Sequence, residues 1–578
     1  MLRPIGIREF VWAFAALTVV ALTALGQQTS DLYAVPDRGD PLFSMWRMAW
    51  VRHQLAADPR HLFDANIFYP LPATLTYSDS MILPALASAP LAWLHPVVAY
   101  NVTLLAAFIL SGAAAYLLAR ALGVSATGAW IAAVAFTIAP FRMNHLSHLE
   151  LQMTMWMPLA LLTTYRMVSE ANGGMVFRPG RSVTLALILA AQWYSSMYYG
   201  LFLTMYVAVF GAVLIARHNI RNRQLWQLVA ALCVAGLLIS PLVLVYVRSA
   251  PERGDRPREA VVAFSAVPGD YARTGSHNPV YRAVLPRPVH AERALFPGGA
   301  TIALAVAGAW PPLTAWRTAV IAAGVVAFDG SLGLNGVLYR VFYRLFPPLR
   351  SVRAPARFAI LVVLTLAMLA GSGAARLLAL LRSGRARAVA VTAWTVVAIA
   401  DGWPHSDRLP VWQSPPSIYA ALPARGAVLF EFPVHSPADR FGENLPYMYF
   451  SIWHWRPMVN GYSGFIPASY GSLLQGVSTF PDGPALKYLE QAGVTHIGLH
   501  CRLWEPDVCL STMTRLDATA GVRRLARAEW YGAPSTLYEL SRDPRSVVRD
   551  PGSGTAWTAG LVDDPDDGSR TPDPGRQR

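Results

Sequence analysis

Apolar residues in this chain are gathered into blocks of membrane length. A helix needs about 20 apolar residues to cross the hydrocarbon core, and about 17 suffice when polar flanks reach the interface. The first block covers residues 10–26, behind Arg3 and Arg8. Others lie near 98–119, 124–139, 151–165, 183–197, 201–216, 225–247, 301–315, 319–328, 358–375 and 388–400. The pattern predicts a polytopic α-helical membrane protein of about eleven spans, in which the pair flanking Arg317 is the shortest. A cleaved signal peptide would explain one block but not a series, so the first is expected to remain as a span.

Between the blocks lie three long loops, 27–96, 248–299 and 329–357. In the first, residues 40–55 carry apolar positions at helical spacing, with Asp40 at the expected N-cap and Pro41 at the first helical position. This predicts an amphipathic helix lying on the membrane face. The apolar stretch 81–94 is broken by Pro84 and Pro90 and reads as interfacial. The transmembrane domain is expected to occupy residues 1–403. After Asp401 the apolar runs shorten: 426–434, 495–500 and 535–540 read as strands, and 484–493 as a helix. They predict a C-terminal external α/β domain over residues 404–545. Residues 546–578, rich in Asp, Pro, Gly and Arg, read as a disordered, solvated tail.

Charge supplies the orientation. Of 578 residues, 54% are apolar and only 14% charged, which excludes a disordered chain. The 48 basic and 34 acidic residues leave a net +14, and Lys487 is the only lysine. With the N-terminus cytoplasmic, the segments on that side hold fourteen arginines, among them Arg3, Arg8, Arg120, Arg317 and Arg376, against Glu9 and Glu170 alone. That satisfies the positive-inside rule. It accounts for +12 of the total and removes the case for nucleic acid as a partner. The three long loops and everything after about Asp401 are then external.

The external half separates its charges. The first loop holds Asp31, Asp37, Asp40, Asp58, Asp64 and Asp79 against four arginines. A carboxylate half withdrawn from water at the mouth of a bundle can serve as a general base near neutral pH. Asp40 is the best placed and Asp37 the next, although an N-cap role would equally explain Asp40. Glu150 is a second acidic group, beyond the third span, in the cluster Arg142, Asn144, His145, His148 and Glu150. His145 and His148 lack a third ligand at a recognisable spacing, which favours interfacial hydrogen bonding over a metal. The run from Gln192 through Tyr198 and Tyr199 to Gly200 fits an interfacial aromatic belt or a stacking surface for a sugar or prenyl chain. Before the tenth span, Arg340, Arg344, Arg350, Arg353 and Arg357 face only Asp329. Arginine forks at that depth suit a lipid phosphate or anionic headgroups. Of three cysteines, Cys233 falls in a span, and Cys501 and Cys509 are able to pair in an oxidising compartment. No P-loop, dinucleotide fingerprint, serine elbow or zinc spacing is present, so neither cofactor nor metal is expected.

Several stretches also carry a resemblance: Gly39-Asp40-Pro41-Leu42 with Trp46 and Trp50, residues 62–70, Tyr198-Tyr199-Gly200, Arg353-Ala354-Pro355-Ala356-Arg357, and Asn460-Gly461-Tyr462-Ser463-Gly464. Together with the bundle and its acidic first loop, they resemble the GT-C superfamily of membrane glycosyltransferases. That superfamily includes the protein O-mannosyltransferases and the aminoarabinose transferases, and a bacterial group of GT-C-like membrane proteins is more similar still. The mannosyltransferases' adjacent Asp-Glu pair directly after the first span is absent here. The resemblance implies transfer of a sugar from a polyprenyl-phosphate donor to an acceptor on the external face of a bacterial cytoplasmic membrane. It implies an acidic residue of the first external loop acting on the acceptor, which Asp40 matches best; Asp37 and Glu150 stay catalytic candidates from the charge pattern. Arg350, Arg353, Arg357, His145, His148, Tyr198, Tyr199 and Trp46 are then the expected substrate contacts. A lipid or polysaccharide transporter or flippase, or a non-catalytic envelope-assembly protein, are the other expectations. The near absence of charge within the predicted spans argues against transport.

Overall fold

In a computed structural model of the chain, residues 6–541 are described, apart from 173–178, 219–221, 255, 276–277, 279, 282, 404–407 and 435–443. The expected tail, 546–578, lies outside the described residues.

Each of the eleven apolar blocks forms a helix, and among the described residues seven of those helices are long and apolar enough to cross a membrane. They are Ile7–Ala24, Pro96–Ala121, Ala126–Asn144, Met197–Arg217, Gln224–Arg248, Ala315–Asn335 and Pro355–Leu380. Trp156–Asn172, Pro179–Ser195 and Gly299–Ala309 are shorter. The 18-residue helix Gly384–Asp401 carries Arg385, Arg387 and Asp401, which lower its hydropathy. Helix Pro355–Leu380 is the hub, with 89% of its most apolar window buried. Ile7–Ala24 and Gln224–Arg248 lie at the rim with 22% buried, and they turn Trp12, Val19 and Leu237 outward. Apolar side chains facing out from the rim of a closely packed interior suit lipid rather than water. The hub packs by close backbone approach. A Cβ at Gly308 would lie 1.9 Å from the carbonyl oxygen of Leu369, and one at Gly373 1.9 Å from that of Leu304. Small residues at such crossings bring helices together where burial of apolar area gives no drive.

The two ends of the bundle differ. At one, Arg120 Nε donates to Glu9 at 2.6 Å, and Arg317 and Arg376 donate to the carbonyls of Gly308, Trp310 and Pro312. At the other the long loops meet the C-terminal region. Residues Ala34–Val35 (β1) pair antiparallel with Leu409–Pro410 (β2), and Arg256 donates to Gly464 O at 2.6 Å. The backbone of Phe68 and Tyr69 donates to Asn460 O and Met458 O at 3.1 and 2.9 Å. Two of the stretches carrying the resemblance, 62–70 and Asn460–Gly464, are therefore hydrogen-bonded to one another.

The C-terminal sheet contains Leu429–Phe432 (β3), His496–His500 (β4), Val522–Trp530 (β5) and Ala533–Leu540 (β6), ordered β3-β4-β6-β5. Strands β3 and β4 are parallel, joined through helix Gly483–Gln491, and the other pairs are antiparallel. Three strands and the helix match the sequence pattern. The edge strand β5 does not announce itself, because a bulge and the charged Arg523, Arg524, Arg527 and Glu529 interrupt its half-buried apolar positions. Cys501 and Cys509 form a disulfide across one turn and the start of helix Pro506–Asp517.

The helix expected at 40–55 runs from Asp40 to Ala57, but it does not lie on a surface. Every residue from Pro41 to Val51 is buried, because helices Ile82–Ala87 and Leu445–Ser451 and the bundle all pack on it. The helix is thus a wedge between the bundle and the C-terminal region.

Candidate functional site

Asp40 opens the wedge helix, and Gly39, not Asp40, occupies the N-cap. No side chain caps this end, so the capping role is not the one Asp40 plays. Its Oδ2 lies 3.1 Å from His148 Nε2, and both side chains remain partly open, at 30% and 23%. Asp37 shapes the approach: its Oδ1 accepts from Gly39 N at 2.7 Å and its Oδ2 from the Ser147 hydroxyl. A Cβ at position 39 would sit 2.9 Å from Asp37 Oδ1, so a larger residue there would displace that carboxylate.

One and two turns on from Asp40, Ser44 and Arg47 continue the same helical face. Arg47 is buried and makes an ion pair with Glu150 at 3.1 Å, with further bonds to Ser44 Oγ and Asp79 O. Burial opposes charge on Glu150, yet Arg47 and then His148 hold its carboxyl below the usual range. Asp79 accepts from Met197 N at 2.9 Å and Ser196 Oγ at 3.1 Å. Burial, and then the negative charge of Glu150, push the Asp79 carboxyl up to about 6. The first loop is by these bonds fixed to the start of helix Met197–Arg217.

A second charged group surrounds Glu292, in the loop before helix Gly299–Ala309. His145 Nε2 lies 3.0 Å from Glu292 Oε2, and Arg357 engages both carboxylate oxygens. Arg357 and then His145 outweigh burial and hold this carboxyl well below its usual range. His145 Nδ1 is within 2.8 Å of Phe141 O, so both ring nitrogens are engaged within the protein. Arg142 is likewise internal, bonded to Gln152 and Thr137 O with its fork 4.2 Å from the Phe108 ring.

The third group is cationic. The hydroxyl of Tyr198 accepts from Arg353 N at 3.1 Å, and the Arg353 guanidinium lies 5.0 Å from the Phe264 ring. That guanidinium has no carboxylate partner among the described residues. Arg256 stacks at 3.3 Å on Phe465, and its Nε is buried without a hydrogen-bond partner among the described residues. Burial lowers the Arg256 pKa to about 10, and the positive charges of Arg353 and Arg253 add to the shift against an opposing influence of Tyr198. Arg353 and Arg256, from two loops, thus lie near one phenol, and Arg253 shares the Phe465 ring with Arg256.

Tyr462, from the strap Asn460–Gly464, joins the acidic and cationic groups. Its phenol is pushed up to about 12 by burial and then by Asp40, while Arg353 and Arg47 act in the opposite sense and Asp37 adds to the rise. Asp40 and Arg353 therefore act on one side chain with opposite sign.

The remaining expected contacts divide. Tyr199 is buried, with its hydroxyl unpartnered among the described residues. Trp46 is fully buried and donates to Asn66 Oδ1 at 3.1 Å while stacking on Phe43, so it braces the wedge helix. Arg350 is exposed and turned onto the carbonyls of Tyr343 and Arg344, away from the site. Arg357 is taken by Glu292. The sequence reading missed Arg47, Glu292, Arg256 and Tyr462. Arg47 had a signal in the Asp40, Ser44, Arg47 spacing of i, i+4 and i+7, and Tyr462 in its motif stretch. No group of three His, Cys, Asp or Glu able to hold a metal occurs among the described residues.

No family model matches the chain, and no curated protein matches it.

Proposed function

We propose that the protein is an integral membrane glycosyltransferase that moves a sugar from a polyprenyl-phosphate-linked donor to an acceptor. The reaction would take place at the end of the bundle bearing the C-terminal sheet. One observation carries this reading: Asp40, partly open beside His148, and Arg353, with no carboxylate partner among the described residues, both lie near enough to Tyr462 to act on its phenol, with opposite sign. An acid able to take a proton and a cation able to take a phosphate are what a glycosyl transfer needs on opposite sides of the reacting carbon. The resemblance of the motif stretches to GT-C enzymes supports the same reaction.

In this account Asp40 accepts the proton of an acceptor hydroxyl as its oxygen forms a bond to the anomeric carbon. The bond from that carbon to the phosphate oxygen breaks, and its electron pair leaves with the polyprenyl phosphate. Arg353 and Arg256 stabilise the departing charge, with Tyr198 holding the Arg353 backbone. Arg357, bound to Glu292, positions the loop and does not touch phosphate. His148 orients Asp40.

The arginine surplus at the Glu9 end supports a cytoplasmic N-terminus, and the Cys501–Cys509 disulfide supports an oxidising compartment for the opposite end. The test is to incubate the purified full chain in lipid nanodiscs with polyprenyl-phosphate-linked pentoses and hexoses and a panel of hydroxyl acceptors (simple glycosides, hydroxyl-bearing peptides and lipids), and follow both the lipid and the glycosylated product by mass spectrometry. Release of free polyprenyl phosphate is expected. Movement of intact donor across vesicles with the glycosidic bond unbroken would put a transporter in its place.

A further inference from the structure

Away from Asp40, at the far end of the wedge helix, the first loop and the C-terminal region enclose a cavity of about 320 Å³. Trp50, Tyr69 and Trp455 supply aromatic surface, and Asp64 and Asn66 supply polar groups. The volume is at the lower end of the roughly 300–1,000 Å³ of small-molecule sites. It suits one or two rings and not a lipid chain.

The wall is held rigid. His53 stacks on Trp455 with centroids 4.2 Å apart and planes 10° apart, and Trp50 meets Trp455 edge-on at 5.9 Å. Trp50 Nε1 donates to Leu62 O at 2.9 Å, which fixes its ring. Trp455 holds a φ of 55°, a left-handed conformation unfavourable for a bulky residue. Such backbones persist where the surroundings impose them, and they cluster at ligand clamps. Pro70, Pro72 and Pro457 complete a lining with little freedom to collapse. Asp64 Oδ1 accepts from Ala73 N at 2.8 Å, and Oδ2 has no hydrogen-bond partner among the described residues.

Flat aromatic faces set beside a carboxylate match a saccharide ring, whose C–H face stacks while its hydroxyls donate to the acid. We propose that this cavity is a saccharide-binding site, in which a sugar ring lies against Trp455 and donates a hydroxyl hydrogen bond to Asp64. Asp40 and Trp50 are ten residues apart on one helix, about 15 Å along its axis. The site is thus separate from the proposed reaction centre, and it does not depend on glycosyl transfer being the activity. It matches a carbohydrate longer than the single ring held near Asp40.

The test uses the full chain in nanodiscs and saturation-transfer NMR. The probes are the methyl glycosides of glucose, galactose, mannose, arabinose and N-acetylglucosamine, together with cellobiose and maltose. At least one should bind saturably, and Trp455→Ala should raise its Kd at least tenfold. Asp64→Asn retains the acceptor for Ala73 N and should fold as the wild type, yet it should also raise Kd about tenfold, because it removes a hydrogen bond to a charged group. Asp40→Asn should leave binding unchanged even where it abolishes transfer, so the two proposals fail separately. No saturable binding by any probe, equal affinity for cyclohexanol, or an unchanged Kd in Asp64→Asn would each overturn the proposal.

Discussion

Asp40 Oδ2 and His148 Nε2 are 3.1 Å apart, although the residues come from two loops separated by two membrane-crossing helices. The contact holds the carboxylate by a second side chain at the first residue of the helix, where it makes no cap. In the proposed mechanism His148 is a positioning residue. His148→Gln keeps a donor but not the imidazole, and kcat should fall about 10–100-fold with the donor KM little changed. A pH profile of kcat/KM should also change shape in the variant, which a purely structural role would not cause.

Arg353 and Arg256 should act together on the lipid phosphate. Arg353→Gln and Arg256→Gln should each raise the donor KM and lower kcat/KM by about tenfold or more, in line with the 1.5–3 kcal/mol of a hydrogen bond to a charged group. Arg350→Gln should change neither, because that side chain is turned onto local carbonyls. Steady-state kinetics on the three variants separates a cation cluster at the phosphate from a general attraction to anionic headgroups.

Asp79 gives stability a pH dependence of definite sign. Its carboxyl binds a proton more tightly folded, at about 6, than unfolded, near 3.8. The folded state is therefore favoured while Asp79 is protonated, and that advantage is lost as pH rises from about 4 to about 6. Measured as the melting temperature of the wild type minus that of Asp79→Asn, the difference should fall across this window and stay level above it. A difference that rises with pH would mean the carboxylate is stabilised in place.

The disulfide Cys501–Cys509 closes a short loop just after the interior strand β4. Chain-entropy reasoning gives a stabilisation of about 2–3 kcal/mol for a loop of that size. Cys501→Ser with Cys509→Ser should lower the denaturation midpoint of the C-terminal region, read by near-ultraviolet circular dichroism, and leave the helical signal of the bundle intact.

Much of the architecture is legible in the sequence because lipid and sheet faces impose simple periods. Apolar length marks the bundle helices, and alternation or short apolar runs mark β3, β4 and β6. Span number is less legible: the helix Gly384–Asp401 forms, but its charges, invisible to a length rule, keep it below the composition of a crossing helix. Edge strand β5 is missed because a bulge and four charged residues interrupt its half-buried apolar positions. Within the site, Asp40, His148, Glu150 and Arg353 stand out as polar residues where apolar ones are expected. Their partners do not, since Arg47, Glu292 and Arg256 are recognised only once three loops are folded against each other. The buried Glu431–His500 pair at 2.9 Å is equally hidden. It depends on Gly498 in the intervening register, where a Cβ would lie 2.0 Å from Glu431 Oε2.

The central claim is that the Asp40 carboxylate takes the acceptor proton. The most direct measurement compares wild type and Asp40→Asn in nanodiscs for release of polyprenyl phosphate from the donor that the wild type consumes, with thermal unfolding followed in parallel. The account predicts a loss of at least a thousandfold in kcat with an unchanged melting temperature and donor binding. Full release by a normally folded Asp40→Asn protein would contradict it.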